Sequence, residues 1–371
     1  MAHGPREDRL AKARATMSAH DIDLLAVSPS DDLRYLAGFS PTADERPCML
    51  LLGRDDIALV VPSLNAEQAR AALPALPFVT WEDADGAGGA LREAIGSFRL
   101  RSEASVGVDA TMRADFLLLL QQIAPAARWV SAALVLSELR LRKDAEELEA
   151  LLASARTADT AMTAALDACV EGVRELDVAE AAAAAFRRAG CEEVSFTSVA
   201  SGPNGTYPHH HSGSRRLAHG EGVTIDLGGR LHGYASDITR TAHIGPPGKR
   251  YALVHAVVED AVQAGIDAVR PGVTCASIDR AARKVIDAAG FGDYFVHRTG
   301  HGLGLSGHEP PWIMDGEERA LEPGMVFSIE PGIYVPGELG VRLEEIVQLT
   351  ELGCRVLSDL PRDLRIVPSL G

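Results

Sequence analysis

Two hairpin-forming stretches, 222–241 and 325–349, hold the residues with chemistry to offer. In the first, alternation puts Val223, Ile225 and Leu227 on one face and Thr224 and Asp226 on the other. On the return strand Asp237, Thr239 and Thr241 share a face, opposite Ile238 and Ala242. Asp226 and Asp237 lie 11 residues apart around a turn centred near Leu231 and His232, so they are expected to face each other across the pair. Like charges directly opposite are destabilising unless a cation lies between them. The expectation is a metal.

The second stretch repeats the design. Met325, Phe327 and Ile329 face one way, Ser328 and Glu330 the other; Val341, Leu343, Val347 and Leu349 face the core, with Arg342 and Glu344 opposite. Glu330 and Glu344 are 14 apart, with their midpoint on Gly337 in the turn Pro336-Gly337-Glu338. Parity selects Glu344 over its neighbour Glu345, and Arg342 could orient one of the carboxylates. His301 joins them from Thr299-Gly-His-Gly-Leu-Gly-Leu, whose glycines are expected to let the backbone approach a ligand closely. Four carboxylates and an imidazole form a hard set for two divalent ions. That favours Mn²⁺, with Co²⁺, Fe²⁺ or Zn²⁺ as alternatives, over a thiolate-type zinc site. Two ions about 3.5–4 Å apart can share a bridging water and make a hydroxide nucleophile at neutral pH.

The elements that must position these groups read as α/β. A helix is expected over 6–20 and a strand over 23–27; strands at 48–52 and 57–61 flank the turn 53–56. Further strand pieces lie at 107–109 and 128–130, with a loop at 83–89. These segments gather no catalytic residues, so 1–135 is expected to be an α/β domain with a structural or substrate-shaping role. A long helical stretch starts at Asp144, which forms a capping box with Glu147. An internal repeat at an offset of 100 follows: Gly172-Val173 matches Gly272-Val273, and Ala189-Gly190 matches Ala289-Gly290. Each copy holds an Ala-rich helix, opened by Asp177 or Thr274 and closed by a glycine suited to a left-handed cap. A Gly-rich loop and a hairpin come next. Residues 136–371 are thus expected to form two similar α/β halves with the site in the crevice between them.

Composition narrows the function classes. The 371 residues carry a net charge of −16 with no run of Lys and Arg, which argues against nucleic acid and against anionic membrane surfaces. The five cysteines (Cys48, Cys169, Cys191, Cys275, Cys354) are scattered and odd in number, as in a reducing compartment, and read as small core residues. The polar first residues lack a secretory apolar segment, and the longest aliphatic run, 116–120, is too short to span a bilayer. A soluble, cytoplasmic protein is expected.

With these residues in hand, the chain resembles the pita-bread metallopeptidases: Xaa-Pro dipeptidase (prolidase), aminopeptidase P and methionine aminopeptidase. The stretches IDLGG, SDITRT, HRTGHGLGLSGHE, GMVFSIEPGIYV and GVRLEEIVQLT occur in the family's order and hold all five ligand positions. Leu33-Arg-Tyr-Leu-Ala-Gly-Phe resembles the creatinase-type N-terminal domain, which methionine aminopeptidases lack. Creatinase shares the fold without the metal set. The resemblance implies that Asp237 and Glu344 bridge the ions, with Asp226 on one and His301 and Glu330 on the other. Glu330 would relay the proton, and His308 would contact the scissile carbonyl and stabilise the tetrahedral intermediate. His209 would bind substrate, His297 would line a proline pocket, and Tyr334 and Arg342 would support the ligands and the substrate. His210 and His211 read as a polar surface loop. Proline-containing peptides are the implied substrates and a homodimer the implied assembly. One departure stands out: several prolidases carry an Arg shortly after the His-Glu, where it can hold a dipeptide's terminal carboxylate, and here that place is Trp312. Dipeptidase is the leading reading. Aminopeptidase P, a C–N hydrolase acting on a non-peptide amide, and a non-catalytic binding module are the alternatives.

Overall fold

The computed structural model describes residues 7–368 and divides into two compact units, Met1–Arg140 and Leu141–Gly371. In the first, a mixed six-stranded sheet runs in the order Phe78–Trp81, Ile57–Pro62, Met49–Gly53, Leu24–Val27, Ser105–Val108, Arg128–Ser131. Leu24–Val27 and Met49–Gly53 are buried along their whole length, which is why they read as unbroken apolar runs and not as alternation. The opening helix is Glu7–Ala19; Arg6 of the expected span lies outside the described residues. The expected loop at 83–89 is shorter than foreseen, because the helix Gly88–Ser97 begins inside it. The strand expected at 107–109 is Ser105–Val108: Asp109 leaves the ladder and accepts hydrogen bonds from the Ser28 amide and hydroxyl and from Thr111.

The second unit is built twice. The helix Ala145–Ala168, capped by the reciprocal Asp144/Glu147 pair, packs with Glu175–Arg188 against the sheet containing Glu193–Ser201, Gly222–Leu231 and Ile238–Ile244. Lys249–Ala268 and Cys275–Ala288 pack likewise against the sheet containing Gly300–Gly302, Glu309–Ile313, Val326–Ile329 and Glu345–Thr350. The caps repeat at the expected offset. Gly172 and Gly272 have φ of 83° and 85°, and Gly190 and Gly290 have φ of 89° and 82°, values open to glycine at little cost. Thr274 caps its helix through the Ser277 amide. In the other copy Arg174 holds the N-cap and Asp177 sits three residues inside, bonded back to Arg174, so Asp177 does not open the helix.

Each half buries one sheet face under its helices. Val223, Ile225 and Leu227 pack on Met162, Val178 and Phe186; Phe327, Ile329, Val341 and Val347 pack on Val258, Val262 and Ile278. Each such aliphatic contributes roughly 1.5–3 kcal/mol on burial. A one-residue slip would expose a whole row, so the alternate positions are forced to the opposite face. That face carries the acids. Among the described residues no helix is long and apolar enough to cross a membrane.

Candidate metal centre

The first hairpin turns tightly at His232 and Gly233, both with positive φ (53° and 82°), a two-residue turn matched to strand twist. It sets Asp226 opposite Thr239, not opposite Asp237. The two aspartates share a face, as expected, but they are diagonal neighbours, with Asp237 in the break between Tyr234–Ala235 and Ile238–Ile244. The expected turn centre was one residue too early. The hydroxyl of Thr239 fills the facing position, donating to Asp226 Oδ1 (2.9 Å) or Glu344 Oε2 (3.0 Å).

The second hairpin has the expected register. Ile329 pairs with Glu345 and Gly332 with Arg342, so Glu330 and Glu344 meet where the ladder is interrupted, and Gly337 (φ 73°) turns the chain. Glu344 faces the cluster. Glu345 faces away and pairs with buried Arg240 at 2.9 Å. His301 stands on the neighbouring strand Gly300–Gly302. The glycines beside it serve a purpose other than the expected one: a Cβ at Gly300 would strike the Ser328 carbonyl, and one at Gly302 the Pro310 carbonyl. They let strands approach each other, not a ligand.

Three overlapping groups of possible ligand atoms result, each within 4.8 Å: Asp226, Asp237 and Glu344; His301, Glu330 and Glu344; Asp237, His301 and His308. All five residues expected as ligands converge. His301 Nδ1 lies 3.0 Å from the Gly302 carbonyl, which can only accept, so this nitrogen carries a proton. Burial lowers the imidazole, but the hydrogen bond and charge of Glu330 and the charge of Asp237 raise it above its usual range. Nε2 therefore donates to Glu330 and would give up that proton to ligate a metal. Nε2 is 3.2 Å from Glu330 Oε1 and 3.8 Å from Asp237 Oδ2. Burial, followed by the charge of Asp226, pushes the Asp237 carboxyl well above its usual range. Burial and the charges of Asp237 and Glu330 do the same to Glu344. Burial would raise Glu330 too, but the hydrogen bond and charge of His301 win and hold it down at about 2. Glu344 Oε1 is buried with no hydrogen-bond partner among the described residues. A buried carboxylate oxygen without a partner, among acids that resist ionising together, is the signature of a cation-binding set, and hard oxygens plus one imidazole fit divalent ions.

Around the acids runs a chain of polar contacts. Arg342 donates to Asp226 Oδ2 (2.7 Å), Thr239 Oγ1 (3.2 Å), Tyr334 Oη (2.7 Å) and the Pro208 carbonyl (3.4 Å). His297 Nδ1 donates to the Arg298 carbonyl (2.7 Å), and burial pushes this histidine below its usual range. Neutral His297 therefore accepts the Tyr334 hydroxyl at Nε2 (2.9 Å). His308 is exposed, yet its ring lies against that of His301, tilted by 34° with centroids 3.8 Å apart, and desolvation followed by the charge of His301 pushes it down to about 4. His209 is exposed, close enough for its charge to act on His297 and His308.

Four further residues were not read in the sequence as part of the site. Ser328 Oγ accepts from the His301 amide (2.9 Å) and donates to Glu330 Oε1 (3.1 Å); Thr239 bridges Asp226 and Glu344; both lay on the polar face and could have been found by parity. His210 is no surface residue. Its Nε2 meets fully buried Glu175 at 2.9 Å, and Glu175 also accepts from the Ser201 amide and hydroxyl and from Asn204. His211 is exposed, as expected. Of the cysteines, Cys48, Cys169 and Cys275 are buried, whereas Cys191 is half-buried against the Thr157 hydroxyl.

Duplicated halves presenting a hard donor set belong to the class of metal-dependent hydrolases. The model of metallopeptidase family M24 matches residues 149–351, and that of the creatinase/prolidase N-terminal domain matches residues 9–142. The chain belongs to metallopeptidase family M24. It is 39% identical to the "Probable dipeptidase PepE" of Mycobacterium tuberculosis, over 97% of this chain and 96% of that one. It is 32% identical to the Xaa-Pro dipeptidase of Pyrococcus furiosus, over 96% and 99%. The solved structure of a prolidase from Thermococcus sibiricus superposes with a TM-score of 0.93 at 32% identity, covering 97% of this chain and 98% of that one.

Proposed function

We propose that this metallopeptidase is an Xaa-Pro dipeptidase working with two divalent ions. Relatives named Xaa-Pro dipeptidase and prolidase, similar over nearly the whole chain, support the substrate class. The observation that carries the metal reading is buried Glu344 Oε1, without a partner in the midst of three other carboxylates. Asp237 and Glu344 are the carboxylates that belong to two of the overlapping ligand groups, which suits them to be shared between ions. Asp226 would complete one site, and His301 with Glu330 the other. Manganese suits this oxygen-rich set, with cobalt, iron or zinc as alternatives.

Bound ions would supply Lewis-acid polarisation and an acidified water. The remaining steps fall to the chain's own groups. Glu330 accepts the proton of the attacking water and returns it to the proline nitrogen as the C–N bond breaks. His308, neutral at physiological pH, donates a hydrogen bond to the scissile carbonyl oxygen as negative charge develops there. His209 and His297 contact the substrate, His297 on the proline side. Arg342 holds Asp226 and Tyr334 in place, and Tyr334 holds His297. We assign catalysis to 136–371, with 1–135 as a separate domain, and extend the proposal to a cytoplasmic homodimer. Five unbridged cysteines suit a reducing compartment; sedimentation as a monomer would contradict the dimer.

Stripping metal with chelator and restoring Mn²⁺ tests the function: hydrolysis of Ala-Pro should vanish and return. Trp312 favours a second reading, aminopeptidase P, because it leaves a dipeptide's carboxylate without the usual arginine. Faster cleavage of Ala-Pro-Ala than of Ala-Pro would select it.

A further inference from the structure

Trp312 pairs across the strands with His301, beside the ligand cluster, and its ring is not bare. The guanidinium of Arg298, three residues before His301 in the chain, lies over it at 4.4 Å from the ring centroid. One Arg298 nitrogen is 3.5 Å from His308 Nδ1, and the His308 ring lies against that of His301. A cation thus stands one imidazole away from the ligands, although the residue at 312 carries no charge.

The two arginines at this site differ in what they have left to give. Arg342 is spent on Asp226, Thr239, Tyr334 and the Pro208 carbonyl. Arg298 has no carboxylate partner among the described residues, and partial burial lowers its affinity for its own proton. A half-buried guanidinium with spare donors and no anion is an anion site. Contact with the Trp312 ring restrains the guanidinium, so less ordering entropy remains to be lost when an anion binds.

Resting on the dipeptidase reading, we propose that Arg298, seated on Trp312, takes the free C-terminal carboxylate of the dipeptide and so sets the length of peptide the site accepts. The reach is right. From the scissile carbonyl carbon to the terminal carboxylate carbon of Xaa-Pro runs C–N–Cα–C, three bonds and about 3.8 Å at most. A carboxylate that close to the reacting bond needs its cation next to the group contacting the carbonyl, and Arg298 is next to His308. A longer peptide puts a neutral amide at that place, leaving the guanidinium unpaired.

The test compares kcat/KM for Ala-Pro and for its C-terminal amide in Mn²⁺-loaded wild type, Arg298→Ala and Arg298→Lys. Wild type should prefer the free acid by on the order of ten- to a hundredfold, the range of a charge-assisted hydrogen bond. Arg298→Ala should bring the ratio close to one, mainly through KM for the acid, and Arg298→Lys should keep part of it. No preference in wild type, or a preserved ratio in Arg298→Ala with both substrates falling together, overturns the assignment while leaving the peptidase reading intact. Hydrolysis of neither substrate by wild type is a different pattern, which overturns the peptidase reading and this assignment with it.

Discussion

Glu344 and Glu345, adjacent in the chain, send their carboxylates to opposite sides of it. Glu344 meets Thr239 and the acid cluster with one oxygen unpartnered, whereas Glu345 is held 2.9 Å from Arg240 and 3.3 Å from Arg362. Burial raises both carboxyls; at Glu344 the charges of Asp237, Glu330 and Asp226 add to it with Arg342 opposing, whereas Glu345 is ion-paired directly with Arg240 and Arg362. On the two-ion proposal, Glu344 would hold metal while Glu345 holds the fold.

Substitution should separate them. Glu344→Gln should lose bound metal and nearly all turnover while melting close to wild type. Glu345→Gln should keep its metal but lose about 1.5–3 kcal/mol of stability, because Arg240, which is 1% exposed, keeps its carbonyl acceptors but loses its counter-charge. Metal analysis and thermal melting of both variants check this. Metal loss in Glu345→Gln with Glu344→Gln fully loaded would reverse the assignment.

Metal affinity should fall with pH. Without ions, burial and neighbouring acids raise the Asp237 and Glu344 carboxyls well above their ordinary range, so protons compete for the same oxygens. Binding must expel those protons, and apparent affinity should weaken steadily on titration from about pH 8 to about pH 5. Calorimetric Mn²⁺ titrations in buffers of different ionisation enthalpy would show the released protons; affinity constant with pH would contradict the account.

Glu175 carries a pH signature of its own. Burial would raise it, but the Ser201 amide, His210, Asn204 and the Ser201 hydroxyl together hold it below the usual 4.5. A depressed carboxyl stabilises the fold above its unfolded pKa, and that contribution disappears as pH falls through the lower folded value. Glu175→Gln should therefore cost about 2 kcal/mol at neutral pH, and the gap to wild type should close below about pH 4.5. Denaturant melts across that range decide it; a gap that widens on acidification would be the wrong sign.

The same residue should be felt in catalysis. Glu175 anchors His210, immediately after His209, so freeing that segment should raise KM for Ala-Pro several-fold with a smaller change in kcat. A loss confined to kcat would place the effect elsewhere.

The acids were legible because apolar alternation fixes which way each strand faces. For Glu330 and Glu344 the register was legible too, since Gly337 marks its own turn. It failed by one position for Asp226 and Asp237, where the turn is made by His232 at φ 53°, a conformation that histidine does not advertise. What lay beyond reading were contacts between residues distant in sequence. Glu175 and His210 are 35 apart, and Arg298 meets Trp312 only because a strand returns beside His301. Neither Glu175 nor Arg298 stands out by type or spacing.

The central claim is two-ion hydrolysis of Xaa-Pro at this cluster. Its most direct test is to strip the protein, titrate Mn²⁺ back in known equivalents, and follow bound metal and Ala-Pro hydrolysis on the same sample. Activity should rise from zero and level off at two ions per chain. Full activity in the stripped protein, or two bound ions with no hydrolysis of any Xaa-Pro peptide, would contradict it.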